Sequence, residues 1–103
     1  MGVDAAWVDE RHEAKQEVFD SKQCLTQLAT SEWPTSSTVC LRFIDAFGDT
    51  VFNQGQVPVL LRELREAEQK QMDPEIKFHL GKVIRLVERA EDKTHTYIKF
   101  IGD

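Results

Sequence analysis

Apolar residues along this chain recur at two different periods, and each period predicts a different kind of element. Val57, Leu60, Leu61 and Leu64 form one stripe, and Ile76, Leu80, Val83, Ile84, Val87 and Ala90 form a second. Spacings of three and four residues place such side chains on one side of a helix. Arg62, Glu63, Arg65 and Glu66 fall outside the first stripe, and Glu88, Arg89, Glu91 and Asp92 mark the solvated side and end of the second. Pro58 suits a first helical turn, where its missing N–H costs nothing. Asp73-Pro74 reads as a cap followed by proline at the first helical position. The pattern predicts a C-terminal helical hairpin.

Elsewhere the pattern alternates, as in a strand with one buried face. In His95 to Ile101, Thr96, Ile98 and Phe100 alternate with His95, Tyr97, Lys99 and Ile101. In Thr38 to Asp45, Val39, Leu41 and Phe43 alternate with Cys40, Arg42 and Ile44. A turn at Ala46-Phe47-Gly48-Asp49, with Gly48 free to take positive φ, would return Thr50 to Asn53 as its partner strand. That hairpin would set Phe43 across from Phe52 and Ile44 across from Val51. Ala5 to Glu10 and Lys15 to Phe19 predict an earlier hairpin, with Trp7, Val8, Val18 and Phe19 as its apolar contribution. Asp20 with Gln23 resembles a capping box that opens a helix running to about Thr30. Ser31 to Ser37 reads as a polar loop. The expected order is β-β-α-β-β-α-α-β in one domain, residues 1–103. This is an α+β fold, a mostly antiparallel sheet with the helical hairpin packed on it.

Composition narrows the function classes. The chain has 103 residues, 13 Lys plus Arg against 18 Asp plus Glu, and a net charge of −5. An acidic domain lacks the electrostatic footprint of a duplex binder, so no nucleic-acid partner is expected. Acidity suits solubility, and it suits steering toward a basic protein. Met1 to Glu10 lacks the basic and apolar regions of a signal peptide. No apolar run reaches the ~20 residues a membrane span needs. Ala6 breaks the myristoylation pattern that Gly2 would otherwise open. A cytoplasmic protein with reduced thiols at Cys24 and Cys40 is expected, and no membrane partner.

Candidate chemistry gathers around the Ala46 to Asp49 turn. Asp45, Asp49 and Asn53 offer oxygen ligands of the kind hard cations take, but they lack the alternate spacing and terminal bidentate Glu of a calcium loop. Turn chemistry accounts for the same residues, since Asp and Asn hydrogen-bond nearby backbone. If the two strands paired in phase, Arg42 and Lys99 would share a face beside Asp45 and Asp49, as in a metal-dependent nuclease. His12, His79 and His95 show no metal-ligand spacing, and no motif implies a metal or cofactor. His79, at the edge of its stripe, reads as a partly buried, hydrogen-bonded histidine. Phe78 projects from the charged face of its helix beside Lys82 and Arg85. With Phe47 and Trp33 it would make a recognition patch if the three met in space. Cys40, Ile44, Val51, Tyr97 and Ile101 make the second sheet face too apolar for full exposure, so a helix or a partner should cover it.

The stretch "RFIDAFGDTVFNQGQ" from Arg42 to Gln56, the helical region after it and the closing "HTYIKFIGD" from His95 resemble short bacterial proteins with no established activity. The resemblance implies a single-domain bacterial protein and transfers no catalytic or binding residue. Small size, acidity and the missing catalytic signatures favour a non-catalytic protein-interaction domain. An inhibitor or immunity-like protein is one version, and the partner is another protein or a second copy. Binding is expected at Asp45, Phe47, Asp49, Asn53 and Phe78, with no catalytic residue. The alternatives are a small metal-dependent hydrolase or nuclease using Asp45, Asp49 and Lys99, and a small-ligand module between sheet and helices.

Overall fold

A computed structural model describes residues 2–102. It is a mixed α+β fold with a four-stranded antiparallel sheet, in the spatial order β2-β1-β4-β3. The strands are β1 (Asp4–Asp9), β2 (Ala14–Val18), β3 (Asp49–Phe52) and β4 (Thr96–Ile101). The helices are α1 (Cys24–Gln27), α2 (Val57–Lys70) and α3 (Pro74–Ala90). The Cα radius of gyration is 12.3 Å, against about 13 Å for a compact chain of this size, so one core suffices.

The helical hairpin forms as the periodicity requires. Every residue of both apolar stripes is buried. The Asp73 carboxylate accepts the backbone N–H groups of Glu75 and Ile76 at 2.9 and 3.4 Å, which caps α3 ahead of Pro74. β4 alternates as expected: Thr96, Ile98 and Phe100 turn inward, and Tyr97, Lys99 and Ile101 turn outward. Phe52 meets Phe100 edge-on beneath the helices, with ring centroids 5.9 Å apart. The first hairpin also forms, with a bulge between Trp7 and Val8. The Asp9 carboxylate closes its turn by accepting the N–H groups of Arg11 and Glu13. Phe19 lies beyond the strand end and is exposed.

Three expectations fail around the segment that precedes β3. Thr38 to Asp45 is not a strand, so the pairing of Phe43 with Phe52 and Ile44 with Val51 does not form; β3 pairs with β4 alone. Leu41–Phe43 instead forms a 3₁₀ turn, and Cys40, Leu41 and Ile44 are its buried residues. Those three positions suit a helical turn, whereas alternation would have buried Val39, Leu41 and Phe43 together. The Glu63 carboxylate replaces the ladder by accepting the N–H groups of Val39, Cys40 and Leu41 at 2.7, 2.9 and 3.1 Å. Glu63 is therefore buried, at 6% exposure, and not solvated as its place outside the α2 stripe implied.

The first helix is shorter than expected, and Ser31 to Ser37 is not an open loop. α1 widens into a π turn over Leu28–Glu32 and tightens into a 3₁₀ turn over Trp33–Thr35. Thr30 and Ser31 donate their hydroxyls to the carbonyls of Thr26 and Gln27, the i−4 back-bond that loosens a helix. The turn at Gly48 needs no positive φ, because no described glycine takes one. Geometry does require glycine at Gly2, where an added Cβ would collide with the Asp20 carbonyl oxygen, and at Gly102. The Gly102 N–H donates to the Gly48 carbonyl at 2.7 Å, and an added Cβ there would come within 2.6 Å of the Ala46 backbone.

Candidate functional site

The polar residues around the 45–53 turn are used mainly to build it. The Asp45 carboxylate accepts the Phe47 N–H at 2.8 Å, and the Asp45 N–H donates to the Thr50 hydroxyl at 3.0 Å. Asn53 and Gln56 form a reciprocal box: Asn53 Oδ1 accepts the Gln56 N–H at 3.1 Å, and the Asn53 N–H donates to Gln56 Oε1 at 2.9 Å. Only Asp49 reaches another element. Its Oδ2 lies 3.6 Å from Lys99 Nζ on β4. Arg42 is not in a strand, so it does not share a face with Lys99; its guanidinium stacks over the Phe43 ring at 5.4 Å. Among the described residues no three His, Cys, Asp or Glu side chains are placed to hold a metal ion.

The three aromatics do not form a joint patch. Trp33 is buried in the core. Phe47 stands exposed at 76% on the turn before β3. Phe78 stands exposed on α3, with Lys82 Nζ 5.4 Å from its ring centroid. It lines a cleft of 150 Å³ with Lys22, Glu75 and His79.

Behind that cleft lies a buried polar couple that sequence reasoning only half saw. Asp20 is not a capping-box residue at a surface. Its carboxylate is buried and accepts the N–H groups of Val3, Cys24, Leu25 and Thr26 at 2.6 to 3.2 Å. Residues 21–23 stand between it and the helix, and Gln23 takes φ 57. His79 Nε2 lies 3.5 Å from Asp20 Oδ1, yet it has no hydrogen-bond partner, contrary to the expected bonded histidine. Burial lowers the His79 pKa, against the pull of the Asp20 carboxylate. Cys24 and Cys40 are buried too, and burial pushes both thiols up, away from the nucleophilic thiolate.

A larger cleft, of 300 Å³, opens at the end of the sheet where the β1–β2 turn meets the α3–β4 connection. Its polar groups are mixed in sign: Arg11 and Lys15 with Asp9, Glu10 and His95. Asp9 is engaged in its turn, and His95 Nδ1 lies 3.7 Å from Glu10. The arrangement presents no convergent set of groups toward one ligand charge.

The outward face of the sheet has a different character. Strand register divides it into three rungs. Asp49, Ile101 and Asp4 form the first, and Val51, Lys99, Ala6 and Glu17 the second. Tyr97, Val8 and Ala14 form the third. Val51, Tyr97 and Ile101 were expected on this face and stand on it; Cys40 and Ile44 were expected there and belong to the core on the other side. Ala6 and Val8 are outside that core, yet 1% and 2% exposed, shielded by their neighbours on this face. Lys99 is one of those neighbours, with a side chain only 19% exposed. Its ammonium sits between Asp49 and His12 Nδ1, which is 3.4 Å away in the β1–β2 turn. His12 takes φ 64 there. Phe47 and Val51 leave apolar surface open near the β3 edge. The sequence hinted at this face through Tyr97, Ile101 and Val51. It carried no sign of Ala6, Val8 or His12, because their membership depends on β1 lying beside β4.

No protein-family model, curated protein or solved structure matches this chain. Among the described residues, no helix is long and apolar enough to cross a membrane.

Proposed function

We propose that this chain is a non-catalytic protein-interaction domain whose contact surface is the open face of its sheet. The observation that carries the reading is the apolar content of that face. Val51, Tyr97 and Ile101 keep accessible apolar surface on it, and Ala6 and Val8 lie beneath the same face. The core helices pack on the opposite side. An antiparallel sheet with one solvated face ordinarily makes that face polar. Apolar surface bordered by charge is the usual anatomy of a protein contact.

Of the expected binding residues, Asp49 and Phe47 belong to this surface or its rim. Asp45 and Asn53 support it by holding the turn and the start of α2. Phe78 belongs to the helical layer and falls outside it. An inhibitor or immunity-like role is a finer version of the same reading, in which the bound protein is an enzyme. The metal-dependent alternative is the weaker reading, since Asp45 is occupied within its own turn and Arg42 does not join Lys99 on a strand face.

The experiment compares the wild-type chain with Val51→Glu and Phe78→Ala, each used as bait in native-host extract and each run alone by analytical ultracentrifugation. A stoichiometric complex should form with wild type and Phe78→Ala and be lost with Val51→Glu. Equal capture by all three would move the site off the sheet. No complex and no self-association would remove the interaction reading.

A further inference from the structure

We propose that the open face seats a basic amphipathic helix from a partner protein. Its apolar stripe would lie over Tyr97, Ile101 and Val51, with Lys or Arg side chains on both flanks. The inference rests on the sheet face being the contact surface, and it names the occupant.

Two features of the face select this occupant. The first is how its charges are arranged. Carboxylates border the apolar centre on both sides: Asp49 on β3 at one edge, Asp4 on β1 and Glu17 on β2 toward the other. Lys99 is the single ammonium among the three rungs, and Asp49 neutralises it at 3.6 Å. Lys15 does not offset the acids, because its ammonium lies over the Trp7 ring, which packs against the core. Asp4 and Glu17 form none of the ion pairs found among the described residues. Glu17 is therefore the carboxylate on that flank left for an incoming cation, since Asp4 Oδ1 already accepts the Asp20 N–H at 2.7 Å.

The second feature is shape. Four strands at roughly 4.8 Å spacing give a face about 14 Å wide. A helix is about 10 Å across, so it covers the middle and leaves its flanking side chains over the acidic borders. The six residues of β4 extend about 20 Å, the length of about 13 helical residues. A helix in this position completes a third layer over an otherwise two-layer fold. A second copy of the chain is the poorer occupant, because it would bring together two faces that each carry more carboxylates than ammoniums.

The test uses a designed peptide of about 14 residues, one helical face all Leu and its flanks Lys, titrated into the ¹⁵N-labelled protein. Amide shifts should concentrate at Ala6, Val51, Tyr97, Lys99 and Ile101 and spare α2. Affinity should fall about tenfold or more in Glu17→Lys with Asp49→Lys, and likewise at high salt. A matched peptide with Glu in place of Lys should not bind. Dispersed amide spectra will show that the variant is folded. Equal binding of both peptides at the face would overturn the basic occupant and leave the contact surface standing. Shifts on the helices would overturn both. If neither peptide binds and the chain dimerises through Val51, the occupant is a second copy and this inference fails.

Discussion

A carboxylate buried without a counter-charge is costly, yet two of them hold this molecule's irregular segments. Each does so by collecting backbone N–H groups, which satisfies the carboxylate and the chain together. Glu63 serves Val39, Cys40 and Leu41, and Asp20 serves Val3, Cys24, Leu25 and Thr26. Glu63→Gln keeps the shape and loses the charge. Hydrogen bonds to charged groups are each worth about 1.5–3 kcal/mol, so a loss of roughly 2 kcal/mol is expected. Urea denaturation checks it, and an unchanged midpoint would show that the bonds contribute little. His79 makes a second prediction. Its neighbours are the carboxylates of Asp20 and Asp4 and the Lys82 ammonium, and burial dominates, so the folded pKa lies below its ordinary value of 6.5. The unfolded chain then takes up the proton first. The stabilisation is fully present above the unfolded value of about 6.5 and is lost as pH falls toward the folded pKa. Stability should drop as the pH falls below about 6.5, and drop less in His79→Gln, by urea melts at each pH. Parallel slopes for the two proteins would remove the assignment.

Among the elements, caps explain why boundaries fall where they do. Asn53 with Gln56 starts the turn leading into α2, and Asp73 starts α3. Asn53→Ala removes the hydrogen bond to the Gln56 N–H and should cost about 1 kcal/mol, read as a shift in urea midpoint at constant slope. A neutral result would mean that the Asn53 side chain is dispensable to the turn before α2. The α3 cap was legible because Asp-Pro is a strong local signal. The Asn53–Gln56 box is less legible, because Asn53 also fits the end of the Thr50 to Asn53 strand. The segment from Val39 to Ile44 is the instructive failure. Its apolar residues fit a strand by alternation, and they also fit a single helical turn through Cys40, Leu41 and Ile44. Six residues are too few to separate the periods. Glu63 decides between them, from 19 positions beyond that segment.

For the whole molecule, the central pair of strands joins the two ends of the described chain. β1 pairs with β4 from Asp4↔Ile101 to Asp9↔Thr96, and β4 also pairs with β3. Such contacts close almost the whole chain as a loop, and folding dominated by them is slow. Deleting residues from Thr96 onward should abolish cooperative unfolding in urea, since it removes the strand that joins both edges of the sheet and takes Ile98 and Phe100 from the core. A truncated chain that kept a cooperative transition would show that β1, β2 and the helices fold without β4. The sequence by itself determined α2 and α3, whose apolar period runs over several turns, and it indicated β4 and the first hairpin through their alternation. It determined the α+β class for the same reason, because hydrophobic period is a local property. Only the tertiary structure decided which strand neighbours which, that Glu63 and Asp20 are buried, and that His12 meets Lys99. It also decided that Ala6 and Val8 share the open face with Tyr97 and Ile101. Those facts depend on contacts between residues far apart in the chain, and no local pattern encodes them.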